Sequence, residues 1–151
     1  MRKILLSLIL LTQITPSHAT EIFIANIINS NASVPKEKVL HNVINITNRV
    51  GYDNQPMFSS TGNGIYYTAQ LQSGKNQQTD IKYYDIETNR TTNVTNTAHL
   101  SEYSPTEVPF EHALSTITVE EDGTQRLWKI SLDNQNKASA HTLLNSEIKP
   151  V

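Results

Sequence analysis

No cysteine occurs among the 151 residues, so no disulfide can brace the chain and its stability has to come from core burial. An excess of one charge is missing too. The formal net charge is -2, with lysine and arginine scattered rather than gathered into a stripe. Phosphate recognition needs such a stripe, which argues against nucleic acid as a partner and against a strongly electrostatic membrane-surface mode. No apolar stretch reaches the ~20 residues needed to cross a bilayer, so stable membrane insertion is not expected. After the N-terminus, no segment of helical length carries an apolar period of 3.6 residues.

What is there begins with an export signal. Arg2 and Lys3 are followed by the apolar run Ile4 to Leu11, interrupted only by Ser7, and Ser17-His18-Ala19 offers small residues where a signal peptidase cuts. Residues 1–19 therefore read as a signal peptide, with Thr20 the first mature residue and a periplasmic or secreted destination. Pro16 breaks any helix that would lengthen the apolar run. Removing the leader leaves 132 residues, enough for one modest domain.

The remainder alternates short segments rich in Ile, Val, Thr and Tyr with turn-forming clusters, which predicts an all-β protein. Strands are expected at Glu21–Ile27, Val39–Ile46, Gly64–Ala69, Asp80–Ile86, Leu114–Glu120 and Arg126–Leu132. These segments repeat in register. Ile46-Thr47-Asn48 returns as Val94-Thr95-Asn96 and more weakly as Leu143-Leu144-Asn145, Pro56 returns as Pro105, and Ile81 to Glu87 aligns with Leu127 to Asp133, at steps of 46 to 49 residues. Several short strands per period of this size are the mark of propeller blades. The expected fold is a partial β-propeller of about two and a half four-stranded antiparallel blades. Residues 20–48 form a half-blade of two strands, 49–97 the first full blade, 98–146 the second, and 147–151 the start of another. Tyr84 and Ile86 align with Ile130 and Leu132 on one face, as blade-on-blade stacking requires, and Trp128 extends that face as core.

The segments Asn45-Ile46-Thr47-Asn48-Arg49, Gly51-Tyr52-Asp53-Asn54-Gln55-Pro56-Met57-Phe58-Ser59, Gly64-Ile65-Tyr66-Tyr67-Thr68 and Asp85-Ile86-Glu87-Thr88 resemble the TolB-type, WD-like propeller repeat, and a less regular copy runs from Asn93 to Trp128. The resemblance implies an exported scaffold whose relatives bind proteins through the propeller faces. Departures are visible: the turn after the first innermost strand is Ser59-Ser60-Thr61-Gly62, and its second copy, Val108-Pro109-Phe110-Glu111-His112, has no glycine, so that turn must differ and Pro109 marks the strand's end.

Catalytic constellations are absent from the sequence. There is no Gly-x-Ser-x-Gly elbow and no glycine-rich phosphate loop, and no cofactor is expected. His99 with Glu102, or Glu111 with His112, could each supply two metal ligands, short of the usual four of a structural zinc site, so no metal is expected. Glu120-Glu121-Asp122 reads as a hairpin tip whose acids cap backbone groups or face water. The sites that remain are the loops entering the innermost strands: Tyr52, Asp53, Asn54 and Gln55 before one, His99, Glu102 and Tyr103 before the next. Such loops emerge together around a propeller's channel, and tyrosine beside adaptable polar groups is interface chemistry. A competing reading packs Tyr52 and Tyr103 between blades and uses Asp53 and Glu102 to fix turns. The expected function is a non-catalytic scaffold for protein or peptide partners, with self-association through open sheet edges. The alternative is the propeller portion of a prolyl-oligopeptidase-like hydrolase or a polysaccharide lyase.

Overall fold

Among the described residues of the computed structural model, 2–8, 20–29, 38–71 and 78–145, the chain is all strand and turn, with no helix. Most of the leader, the connections 30–37 and 72–77, and the tail 147–151 expected to start another blade lie outside the described residues. Three antiparallel sheets follow one another along the chain. The first holds β1 (Arg2–Leu8), β2 (Glu21–Asn29) and β3 (Lys38–Asn45). The second holds β4 (Asp53–Phe58), β5 (Gly64–Gln70), β6 (Thr79–Asp85) and β7 (Arg90–Asn93), and the third β8 (Ser101–Glu107), β9 (Ala113–Val119), β10 (Gln125–Leu132) and β11 (Ala138–Asn145). Each four-stranded sheet is a meander in chain order.

Alternation along the strands explains how the sheets pack. On β5, Ile65, Tyr67 and Ala69 point one way and join Ile22, Ile24 and Tyr84 in a core against the first sheet. Tyr66 points the other way, with Ile81 and Tyr83, and meets Leu114, Ile130 and Leu132 of the third sheet. The second sheet is therefore buried on both faces, and β5 is buried from Gly64 to Ala69 without alternation. On β9 only one face is covered: Leu114, Thr116 and Thr118 are buried, while Ser115, Ile117 and Val119 are half-buried. Each fully buried Ile or Leu here contributes roughly 1.5–3 kcal/mol. Ile130 and Leu132 do face the preceding sheet, as do Tyr84 and Ile86 one repeat earlier.

Residues 20–48 hold two strands, β2 and β3, and Arg2–Leu8 adds a third to their sheet, antiparallel along β2, Leu8 opposite Glu21 and Arg2 opposite Ile27. An apolar run without alternation does not separate a strand from a leader core. One expectation needs correction. Trp128 is half-buried and not a member of either core cluster; its indole N–H donates to Glu120 Oε1 at 3.1 Å, so the ring's polar edge stays at the sheet's margin.

The first strands of the two four-stranded sheets share a device. β4 is bulged between Asn54 and Met57, and β8 between Tyr103 and Thr106. Each bulge holds a residue before proline in the left-handed region, Gln55 and Ser104, both at φ 53°. The proline has no N–H to give the ladder, so the strand gives up pairing there and bends. Gln55 Oε1 then accepts the Ser104 N–H at 2.9 Å, tying one bulge to the other across the sheets.

Candidate partner-binding loops

The seven residues singled out from the sequence all lie at the entry of β4 or β8, and the structure sorts them into buried and accessible. Asp53 is fully buried. Arg49 donates to its Oδ1 from Nε at 3.2 Å and from Nη2 at 2.6 Å, and its own N–H donates to Thr20 Oγ1 at 3.1 Å. Burial raises the Asp53 carboxyl above the usual carboxylate range and the guanidinium opposes that rise. Glu102 is 1% exposed. Its carboxylate accepts the Thr95 hydroxyl at 3.2 Å and the Thr97 hydroxyl, and Thr95 Oγ1 in turn accepts the Ile81 N–H at 2.9 Å. Burial pushes the Glu102 carboxyl up to about 7, with the two hydroxyls opposing and the nearby Asp80 charge adding to the rise. Neither acid reaches the surface. As partner contacts both are corrected: they pin incoming linkers, because a buried carboxylate must be met by donors from its own chain.

The others are accessible in part. Tyr52 and Asn54 are half-buried and bonded to each other, Asn54 Nδ2 donating to the Tyr52 hydroxyl at 3.0 Å. Gln55 is half-buried and spends its carbonyl on Thr68 and Ser104. Tyr103 is half-buried, and His99 is exposed at φ 66° beside a cavity of about 370 Å³ lined with Gln78, Ser101 and Glu121. The Gln55–Ser104 bond brings the two loops' strands together, and His99 lies in the turn between β7 and β8.

At the opposite end of the same two sheets lies a larger cavity, about 610 Å³, that no motif in the sequence announces. It is bounded by the turns after β4 and β8, one repeat apart in the chain, and by Tyr66 and Tyr83 from between the sheets. One signal does point there: the second turn has no glycine, and Phe110 itself takes the left-handed conformation at φ 64°. Elsewhere, in the β9–β10 turn, Asp122 caps the backbone as expected, its Oδ1 accepting the Thr124 N–H at 2.8 Å, whereas Glu120 departs from that reading by bonding the side chains of Arg126 and Trp128. Among the described residues, no group of three or more His, Cys, Asp or Glu side chains is placed to hold a metal ion.

Compared with protein-family models, with curated proteins and with solved structures, the chain finds no match.

Proposed function

We propose that the chain is an exported, non-catalytic scaffold that binds protein or peptide partners, its stacked sheets serving as successive blades of a TolB-like β-propeller. The observation that carries this reading is the repetition of one four-stranded meander at a step of 49 residues, down to the buried acid, the bulge and the proline at the head of each innermost strand. Repetition of a packing unit builds a surface rather than a reaction centre. Tyr52, Asn54, Gln55, His99 and Tyr103 then form the accessible part of the contact face.

Export would remove β1 along with the leader. Thr20 keeps its bonds to Asp53 after a cut behind Ala19, so the entry of β4 would survive processing. The bared edge of β2 would offer unpaired backbone groups to a further strand, the chemistry of self-association.

Photo-crosslinking tests the reading. A benzophenone amino acid placed in turn at Tyr52, His99 and Tyr103 of the exported protein should give discrete adducts, and the same group at Thr92 on β7 should give none. Loss of adducts from all three loop positions would remove the proposal.

A further inference from the structure

The cavity between the turns after β4 and β8 combines three features that the loop face lacks. First, its walls include three carboxylates, Asp85, Glu107 and Glu111; Glu111 is paired with Lys129 at 2.7 Å and Asp85 accepts the Thr88 N–H and hydroxyl, which leaves Glu107 as the carboxylate facing the cavity without a cation among the described residues. The one basic side chain lining it, His112, is already bonded to Asn136 Oδ1 at 3.0 Å. Glu107 is held by a single bond, Oε2 accepting the Ser60 N–H at 2.8 Å, and its Oε1 has no partner among the described residues.

Second, the cavity reaches a buried aromatic pair. The rings of Tyr66 and Tyr83 lie 4.8 Å apart, tilted by 48°. Burial raises the Tyr83 hydroxyl above its ordinary value, and nearby Ser59 opposes the rise. Tyr66 is 2% exposed and lines the cavity, and among the described residues no hydrogen bond is made to its hydroxyl. That is a polar group built into a cavity and left to be satisfied from it.

Third, Phe110 stands fully exposed at the rim while its backbone sits in the left-handed region. The corresponding turn of the preceding sheet makes its left-handed corner with Gly62, at φ 72°. A bulky residue in that conformation is a true outlier, and an exposed aromatic held there at a cost to folding is retained for something other than stability.

We propose that this cavity receives a lysine or arginine side chain from an extended basic segment of a protein partner. The Glu107 carboxylate pairs with the cation, the Tyr66 hydroxyl takes up a bond from the segment, and the ring of Phe110 closes over the aliphatic stem and the charge. The volume lies within the ~300–1,000 Å³ that enclose small ligands and side-chain anchors. Anionic and purely apolar segments are disfavoured by the same carboxylates. The inference rests on the protein-binding reading above, but on a different surface from its loops.

The test uses the full chain and three fluorescein-labelled hexapeptides of glycine and serine that carry, at two central positions, arginine with lysine, citrulline with norleucine, or two glutamates. Fluorescence anisotropy at low salt should show saturable binding of the basic peptide alone, weakened by added salt. Glu107→Gln, which keeps an oxygen for the Ser60 amide, should weaken it by about 5- to 20-fold, and Phe110→Ala by a similar factor. Asp122→Asn, at the other end of the sheets, should change nothing. Phe110→Gly should weaken the peptide while raising the melting temperature, a pairing that a purely structural phenylalanine would not give. Equal binding of the basic and citrulline peptides, or an affinity indifferent to Glu107→Gln and Phe110→Ala, overturns the proposal. If that happens while the loop positions still crosslink, only this site falls; if the crosslinks fail as well, the protein-binding reading falls with it.

Discussion

Asp53 and Glu102 stand at the same place in the two four-stranded sheets, 49 residues apart, each buried at the head of its sheet's first strand, yet they are held in different ways. Asp53 has a guanidinium four residues away. Glu102 has two threonine hydroxyls and the charge of Asp80 nearby. The repeat thus keeps a buried acceptor that fastens the incoming linker and leaves its counter-charge free to vary. The consequence is electrostatic: a buried carboxylate with a cation retains a reason to stay ionised, and one without a cation leans toward the neutral acid.

The largest loss is expected from removing the cation at the first site. Arg49→Met leaves Asp53 buried with no counter-charge bonded to it, and Asp53 Oδ2 already lacks a partner. Unfolding in urea should show a loss of about 3–5 kcal/mol, most of it recovered by Arg49→Met combined with Asp53→Asn. A loss under about 1 kcal/mol would mean that the acid does not depend on its arginine.

The second site should answer to pH instead. An acid whose folded pKa lies above its unfolded value contributes stability that is complete below the unfolded pKa and is lost as pH rises through the folded one. For Glu102 those limits are 4.5 and about 7, so its contribution should fall by about 3 kcal/mol across that window. Asp53 and Asp80, both raised by burial, lean the same way. His141, lowered by burial, works in reverse, its contribution being lost as pH falls below 6.5. The turn acids Asp85, Asp122 and Asp133 are lowered by backbone amides and titrate beneath the window. The difference between wild type and Glu102→Gln in urea melts at pH 4.5 and 7.5 therefore isolates Glu102. Parallel behaviour of the two proteins would show that its carboxyl is not held neutral by burial.

Much of this architecture is legible in the amino-acid sequence. The strands of the two meanders can be placed because turns such as Glu87-Thr88-Asn89 and Asp133-Asn134-Gln135-Asn136 interrupt β-branched and aromatic runs, and because Pro56 and Pro105 mark the same bulge twice. β1 is not legible, since the apolar run from Ile4, with Ser7 alone interrupting it, has no period from which to choose its role. For the loops, chain position identifies the right residues but cannot say which are buried: nothing in Asp53-Asn54-Gln55 tells that Arg49 folds back onto the first of them. The carboxylate-lined cavity is hidden for a different reason, because its walls are two turns that only sheet stacking brings together.

A smaller effect is expected within the strands. Tyr83 lies across Gly64, where a Cβ would stand 2.1 Å from the ring's Cζ. The aligned positions one sheet later are Ala113 and Lys129, so the second sheet carries the methyl group and no ring above it. Gly64→Ala should cost roughly 1–3 kcal/mol as the ring is displaced from Tyr66. Joining it to Tyr83→Lys should make the alanine nearly neutral in that background, as measured by thermal denaturation; an unchanged penalty would place the strain in the backbone rather than against the ring.

The smallest expected effect separates two residues with the same backbone. Gln55 and Ser104 both sit at φ 53°, which costs an L-residue about 1 kcal/mol and costs glycine nothing. Ser104→Gly should therefore be neutral or stabilising by up to about 1 kcal/mol. Gln55→Gly receives the same relief but loses the acceptor for Thr68 Oγ1 at 3.0 Å and for the Ser104 N–H at 2.9 Å. Two lost bonds of about 1 kcal/mol each outweigh the relief, leaving a net loss near 1 kcal/mol. Opposite signs in paired urea melts would show that the bulge is kept in the first sheet for its side chain and in the second for its proline; equal signs would mean that backbone geometry alone maintains both.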